Sequence, residues 1–389
     1  MKTKEILEFI KIEHTLFSLP FILIGAVLAE STFSTQIDWW WFDGHCQPIY
    51  GSSDETTIEK IACFQSVMID DWYEPLFFVN VLNIDPVLDL ILIMTAAIGA
   101  RGLAMTLNRI IDKEIDAANP RTASRLLPSG RMSDKTAWLI AGTFLSMLVI
   151  SAAMLNEVAL YMSWLPVAAF VIYPYMKRIS WLCHFWLGLC LALGPAGAWL
   201  AFTGDIYGWQ AITGFYWYPT IFWISLGVLF WITAFDINYA RMDVENDIEN
   251  GIHSFPAKFG LEATEKMSVI LCICWVLCFI FSGLSGFSLQ WYTGGGTSYE
   301  AGKVLGSYAG FLVTNGGGTG AIRYILWLPA SLIMMAANLW VMTSKARTSH
   351  QSKEKMRDFQ DLLFKVSMAT GWVLLLSMNI VQVWSGYWA

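Results

Sequence analysis

The sequence predicts an all-α, polytopic membrane protein with nine spans. Three observations predict it. Of 389 residues, 56% are hydrophobic and 14% charged, with a mean hydropathy of +0.51, a balance that soluble domains of this size rarely show. Several apolar runs reach the roughly 20 residues that a helix needs to cross a bilayer, and helices are what such runs form there. With a cytoplasmic N-terminus, Lys and Arg mark the cytoplasmic connections 114–133, 177–180, 241–263 and 345–357, and only Lys60, Lys303 and Arg323 of the 24 lie on the outer side of the membrane. Cytoplasmic loops carry that asymmetry. The odd count leaves the C-terminus outside. The lipid bilayer is the expected surrounding, and no nucleic-acid partner is expected.

The spans fall at about 6–30, 87–113, 134–155, 157–176, 181–203, 219–240, 264–286, 322–344 and 358–385. The first lacks a small-residue cleavage site and reads as a permanent span. It opens with Glu13-His14, a polar pair that suits either a helix end at the headgroups or a site. Trp39, Trp40, Trp41, Trp209 and Trp217 mark interfaces. The outer connection 31–86 is acidic and aromatic, and 287–321 carries two Gly-Gly-Gly runs without the Gly-Lys-Ser/Thr of a phosphate loop. The seven cysteines have no metal-ligand spacing. Most read as small core residues, and Cys46 could pair with Cys63 if their loop faces an oxidising compartment. In the fifth span, Pro195 is expected to kink the helix and open a cavity, and His184 reads as a hydrogen-bonded core histidine or a base.

Two stretches carry chemistry. In Arg101 to Gly130, Arg101, Asn108, Asp112 and Asp116 are spaced seven, four and four apart, one face of one helix that Pro120 stops. In Asp236 to Pro256, Asp236, Tyr239, Asp243 and Asp247 share a second face, with Gly251 as the helix stop. Carboxylates at membrane-helix ends are costly unless paired or bound to a cation. Two pairs on the same side argue against a merely solvated face. Such oxygens suit Mg²⁺, with phosphate supplying further ligands. Lys177 and Arg178 serve either as interfacial anchors or as diphosphate ligands.

These motifs resemble the UbiA family of intramembrane aromatic prenyltransferases. The likeness rests on Asn108-x3-Asp112-x3-Asp116, Arg121-Thr-Ala-Ser-Arg-Leu-Leu-Pro-Ser-Gly130, Tyr173-Pro-x2-Lys-Arg178, and Asp236-x2-Tyr-Ala240 followed by Asp243-x3-Asp247, Gly251 and Ser254. It covers nearly the whole chain apart from the two outer loops. It implies nine transmembrane helices around a central cavity, one domain over 1–389 with insertions at about 31–86 and 287–321, a polyprenyl diphosphate donor and Mg²⁺. Asp112 and Asp116 would hold one Mg²⁺ with Asn108, and Asp243 and Asp247 another. Arg121, Lys177 and Arg178 would offset leaving-group charge. Asp236 and Tyr239 would orient the acceptor.

Arg101, deeper in the membrane, needs an anion. Either an aromatic acceptor's carboxylate or a protein carboxylate supplies it. The 4-hydroxybenzoate branch of the family carries arginine at the matching place, and Glu13-His14-Thr15, Leu182-Cys-His184 and Gly194-Pro-Ala-Gly-Ala-Trp199 resemble that branch. The implied function is transfer of a polyprenyl chain to a 4-hydroxybenzoate-type acceptor in ubiquinone biosynthesis, at the cytoplasmic face of the cell membrane. A dihydroxynaphthoate acceptor on the futalosine route to menaquinone is the alternative. A cation-coupled secondary transporter is the alternative of another class, though its carboxylates would sit nearer the bilayer midplane.

Overall fold

The computed structural model describes residues 9, 17–29, 86–215, 217–292 and 319–385. Among them every regular element is helical: α1 (Phe17–Ala29), α2 (Pro86–Ile111), α3 (Lys113–Ala118), α4 (Asp134–Leu155), α5 (Glu157–Met162), α6 (Trp164–Ile179), α7 (Cys183–Tyr207), α8 (Gln210–Thr213), α9 (Thr220–Tyr239), α10 (Val244–Glu249), α11 (Phe255–Tyr292), α12 (Thr319–Trp340), α13 (Ala346–Ser349) and α14 (Lys353–Ser385). A 3₁₀ turn over Ala240–Asp243 joins α9 to α10, and a π turn over Val341–Lys345 joins α12 to α13.

Eight candidate spans are long and apolar enough to cross a membrane, the first covering Leu88–Ile111 and the last Lys353–Met378. They match eight of the nine expected spans. The ninth, over 6–30, is described only at residue 9 and in α1, which is shorter than a crossing. The outer connections 31–85 and 293–318, with Cys46 and Cys63, lie outside the described residues, as do Glu13 and His14. Four of the five described cysteines are buried and all are free, as small core residues should be.

Local chemistry sets the breaks. Ser133 caps α4, its side chain accepting from the Thr136 N–H at 3.1 Å. Asn156 ends α4 and caps α5 through the Ala159 N–H at 2.7 Å, while its amide donates to the Ala201 carbonyl of α7 at 2.8 Å. α7 continues as one helix through Pro195. In α11, Gly260 at φ +82° lets the chain turn between a short first turn and the long span.

Packing follows α2 on α4, α9 between α7 and α11, and α12 on α14. Hydrophobicity does not pull helices together in lipid, so close approach matters. A Cβ on Gly227 of α9 would lie 2.3 Å from the Phe279 ring of α11. Trp231 of α9 is fully buried and stacks on Phe17 of α1 at 4.8 Å between ring centroids. These contacts leave a cavity of about 990 Å³ running from the α3 and α10 end of the bundle toward α5 and α8.

Candidate active site

α2 is apolar through most of its length and reaches Asp112, where the backbone leaves the helical region at φ −94°, ψ 10°. The bonds Asp112 N–H to Asn108 O and Asp116 N–H to Asp112 O survive at 2.9 and 2.8 Å, so the break is a kink. α3 ends at Ala118, and Asn119 is extended at φ −88°, ψ 119°, the conformation that Pro120 imposes on its predecessor. The second acidic segment repeats the design. α9 tightens into the 3₁₀ turn, Asp243 sits at φ −106°, ψ 8°, and Gly251 at φ +65° ends the segment. The expected uninterrupted helical faces are therefore corrected at both first aspartates. Both adopt the sparsely populated bridge conformation between helix and strand. Asp112, Asp116 and Asp247 are 1%, 7% and 7% exposed, which excludes a solvated helix end.

Each buried carboxylate then needs a partner. Lys177 Nζ and Arg178 sit on Asp112, the latter at 3.4 Å, and Asn108 donates to Asp112 at 3.0 Å. Arg125 bonds both oxygens of Asp116 at 2.8 and 2.7 Å. Arg121 bonds both oxygens of Asp243 at 3.0 and 2.7 Å, and Asn119 reaches Asp243 at 3.4 Å. The loop after the first acidic pair thus clamps the second. His253 N–H donates to the Lys177 carbonyl at 2.8 Å, tying the end of α6 to the loop after α10. Burial pushes the Asp112 carboxyl above the usual aspartate range, with Lys177 opposing the shift. Burial also works against the charge on Arg121, but the Asp243 hydrogen bonds and charge outweigh it and hold the guanidinium above its usual range.

Of the eleven residues expected at the site, all but Asp112 and Arg178 line the one cavity. Of those two, Asp112 is buried and bonded to Lys177, which lines the cavity, whereas the half-exposed Arg178 reaches Asp112 from outside the lining. Arg101 stands deeper, beside Tyr173 and Cys190, and its buried Nε has no hydrogen-bond partner. Among the described residues no carboxylate lies within 4 Å of it, so the protein-carboxylate alternative finds no support there. Asp236 accepts from His184 Nδ1 at 2.7 Å, and His184 Nε2 accepts from the Phe255 N–H at 3.0 Å. With Nε2 an acceptor, the ring proton sits on Nδ1 and the imidazole is neutral. His184 is the hydrogen-bonded core histidine, holding Asp236 at the cavity wall.

A family model described as the UbiA prenyltransferase family matches residues 76–301, more than half of the chain. The chain belongs to that family. A 4-hydroxybenzoate octaprenyltransferase of Vibrio campbellii is 30% identical over 164 residues, covering 41% of this chain and 52% of that protein. One of Alcanivorax borkumensis is 30% identical over 197 residues, covering 50% and 63%. The chain spans between about half and under two thirds of these relatives' length. Among solved structures, the apo form of a UbiA homologue from Aeropyrum pernix K1 has a TM-score of 0.59 at 23% identity, covering 94% of this chain and 98% of that one. A digeranylgeranylglyceryl phosphate synthase scores 0.53 at 16% identity, covering 98% of each chain. At such identities they support the fold alone.

This UbiA chain contains site residues that spacing missed. Arg125 lies within the Arg121 to Gly130 motif but has no role that spacing assigns, and no period points to Asn119. Their contacts depend on how the loop after Pro120 folds back, which no helical period encodes. Among the described residues, no three His, Cys, Asp or Glu side chains cluster closely enough to hold a metal. The donors nevertheless fit Mg²⁺ in kind: they are hard oxygens, two per segment, and Mg²⁺ commonly takes one or two carboxylates with phosphate and water completing its shell. The arginine pairs on Asp116 and Asp243 occupy those oxygens in this structure.

Proposed function

We propose that this protein transfers a polyprenyl group from polyprenyl diphosphate to an aromatic carboxylate acceptor of the 4-hydroxybenzoate type. The observation that carries the proposal is the pairing of two facing acidic segments at the mouth of a cavity with a buried, unpartnered Arg101 inside it. The transporter alternative gains nothing from this arrangement, because the acidic pairs sit at one end of the bundle.

The donor's diphosphate lies at the acidic mouth. Lys177, Arg178, Arg121 and Arg125 are already engaged with Asp112, Asp116 and Asp243. A diphosphate therefore brings charge that these cations alone do not balance. Asp112, Asp116, Asp243 and Asp247, with Asn108, would hold Mg²⁺, which supplies positive charge toward the leaving group. Arg121 and Lys177, freed from their carboxylates, meet the charge that develops as the allylic C–O bond breaks. The apolar wall excludes water from the cation that forms. Arg101 holds the acceptor carboxylate by a bidentate pair. The ring carbon attacks the allylic cation, a C–C bond forms, and the ring proton leaves. Asp236, paired to neutral His184 and facing the cavity, receives that proton, and Tyr239 orients the acceptor.

The test is an assay of the purified chain with Mg²⁺, a polyprenyl diphosphate, and 4-hydroxybenzoate, a dihydroxynaphthoate and a decarboxylated phenol as acceptors. Prenylation of a carboxylated acceptor and poor use of the phenol are expected. Equal use of all three would sink the carboxylate reading. The same proposal puts the acidic mouth at the cytoplasmic face and the product on the route to ubiquinone. Cysteine placed at Ser129 should then label from the cytoplasm and at Thr213 from outside. The reverse pattern would invert the topology.

A further inference from the structure

The cavity continues past the level of Arg101. On α7, Gly197 lies seven residues beyond Cys190 and hence on the same face, about 10 Å further from the acidic mouth at the helical rise. Cys190 is the residue beside Arg101, and both it and Gly197 line the cavity. On α2, Ala97 and Ile93 lie one and two turns beyond Arg101 and line the same space, as do Leu155, Ala159 and Ile212. That lining is hydrocarbon. It suits an isoprenoid tail and offers nothing to a polar acceptor.

The glycine itself is informative. Some helix glycines make room for a neighbour: a Cβ on Gly188 would lie 2.4 Å from the Leu229 carbonyl oxygen, and one on Gly25 would lie 2.2 Å from that of Pro195. A Cβ on Gly197 would meet nothing within 4 Å. Gly142 of α4 meets no neighbour either, but it does not line the cavity. Glycine is disfavoured in a helix interior relative to alanine, and at Gly197 no helix contact requires it. What its missing side chain preserves is the width of the cavity.

We infer that Gly197, with the wall around Ala159, sets the length of isoprenoid tail the cavity admits. A short donor ends before this level, whereas a long one has to pass the open face of Gly197. The inference rests on the prenyl-transfer reading and deepens it.

The experiment uses the full chain with Mg²⁺, a carboxylated acceptor and two donors, geranyl diphosphate and octaprenyl diphosphate. Gly197→Phe should keep geranyl transfer within about threefold of wild type and lose octaprenyl transfer by about a hundredfold or more, because overfilling a packed space is penalised steeply. Ala159→Phe should show the same split from the other wall. An unchanged octaprenyl-to-geranyl ratio in both Phe variants would overturn the inference while leaving prenyl transfer intact. So would equal loss of both donors in both Phe variants. A wild-type chain that transfers neither donor would instead overturn the prenyl-transfer reading on which the inference rests.

Discussion

The segment ending in Asp112 and Asp116 and the segment ending in Asp243 and Asp247 share a backbone. Each is a long apolar helix that kinks at its first aspartate, at nearly the same φ and ψ, and resumes for six residues. Their charge surroundings differ. Lys177, Arg178 and Arg125 attend the first pair, whereas Arg121 alone attends the second, and no cation lies within 4 Å of Asp247 among the described residues. The first segment is thus compensated from within the chain and the second is left short. Similar sequence spacing can therefore carry unlike electrostatics, because the partners come from other elements. The difference also suggests that an incoming cation gains most at Asp247.

The largest expected effect erases the difference. If both segments hold Mg²⁺, Asp112→Ala, Asp116→Ala, Asp243→Ala and Asp247→Ala should each lower turnover by at least about a thousandfold, the scale at which lost electrostatic stabilisation of a transition state shows. Removing Mg²⁺ with a chelator should do the same reversibly. Near-normal turnover in both Asp243→Ala and Asp247→Ala, at matched expression, would mean that only the first segment does chemistry.

Arg101 sharpens the comparison, since it lies on the helix of the first segment, eleven residues before Asp112, whereas the matching place eleven residues before Asp243 holds Ile232. Arg101→Leu should raise the acceptor KM by orders of magnitude and leave donor binding nearly unchanged, because a buried charge is left without its partner. Separate titrations of the two substrates decide it. Weakened diphosphate binding with an unaltered acceptor KM would move Arg101 to the donor site.

Much of this was readable in advance for a physical reason. Apolar runs, the Lys and Arg asymmetry and the step of four between aspartates are local or periodic, so eight spans and the facing acidic segments could be read from residue order. The kinks at Asp112 and Asp243 could not, because a one-residue excursion into the bridge region leaves the period almost intact. Arg125 on Asp116 and the tie from His253 to Lys177 were also hidden, since each joins residues through loop geometry. The partner of His184 lies 52 residues away on another helix, a pairing that residue type alone left open between core and base.

The smallest effect concerns stability and asks which force dominates at each first aspartate. At Asp112, burial outweighs Lys177 and the carboxyl is raised. A group raised on folding stabilises the fold below its unfolded pKa, and that contribution is lost as pH rises through the folded value. Ionised Asp112 is therefore a net cost near neutral pH, and Asp112→Asn should leave the unfolding temperature unchanged or raise it. The wild type should also lose stability as pH rises above the ordinary aspartate range, and the variant should lose less of it. At Asp243 the balance reverses. Arg121 is raised because its hydrogen bonds to Asp243 outweigh burial, so the pair favours the folded state. The guanidinium is 41% exposed, so screening limits the gain to about 0.5–1 kcal/mol. Asp243→Asn should accordingly lower the unfolding temperature by a degree or two, given about 2–4 °C per kcal/mol for chains of 150–250 residues and less for a larger one. Thermal unfolding of both variants in one detergent, without Mg²⁺, measures the split. A larger loss in Asp112→Asn than in Asp243→Asn would show that the contacts from Lys177 and Arg178, not burial, govern the first segment.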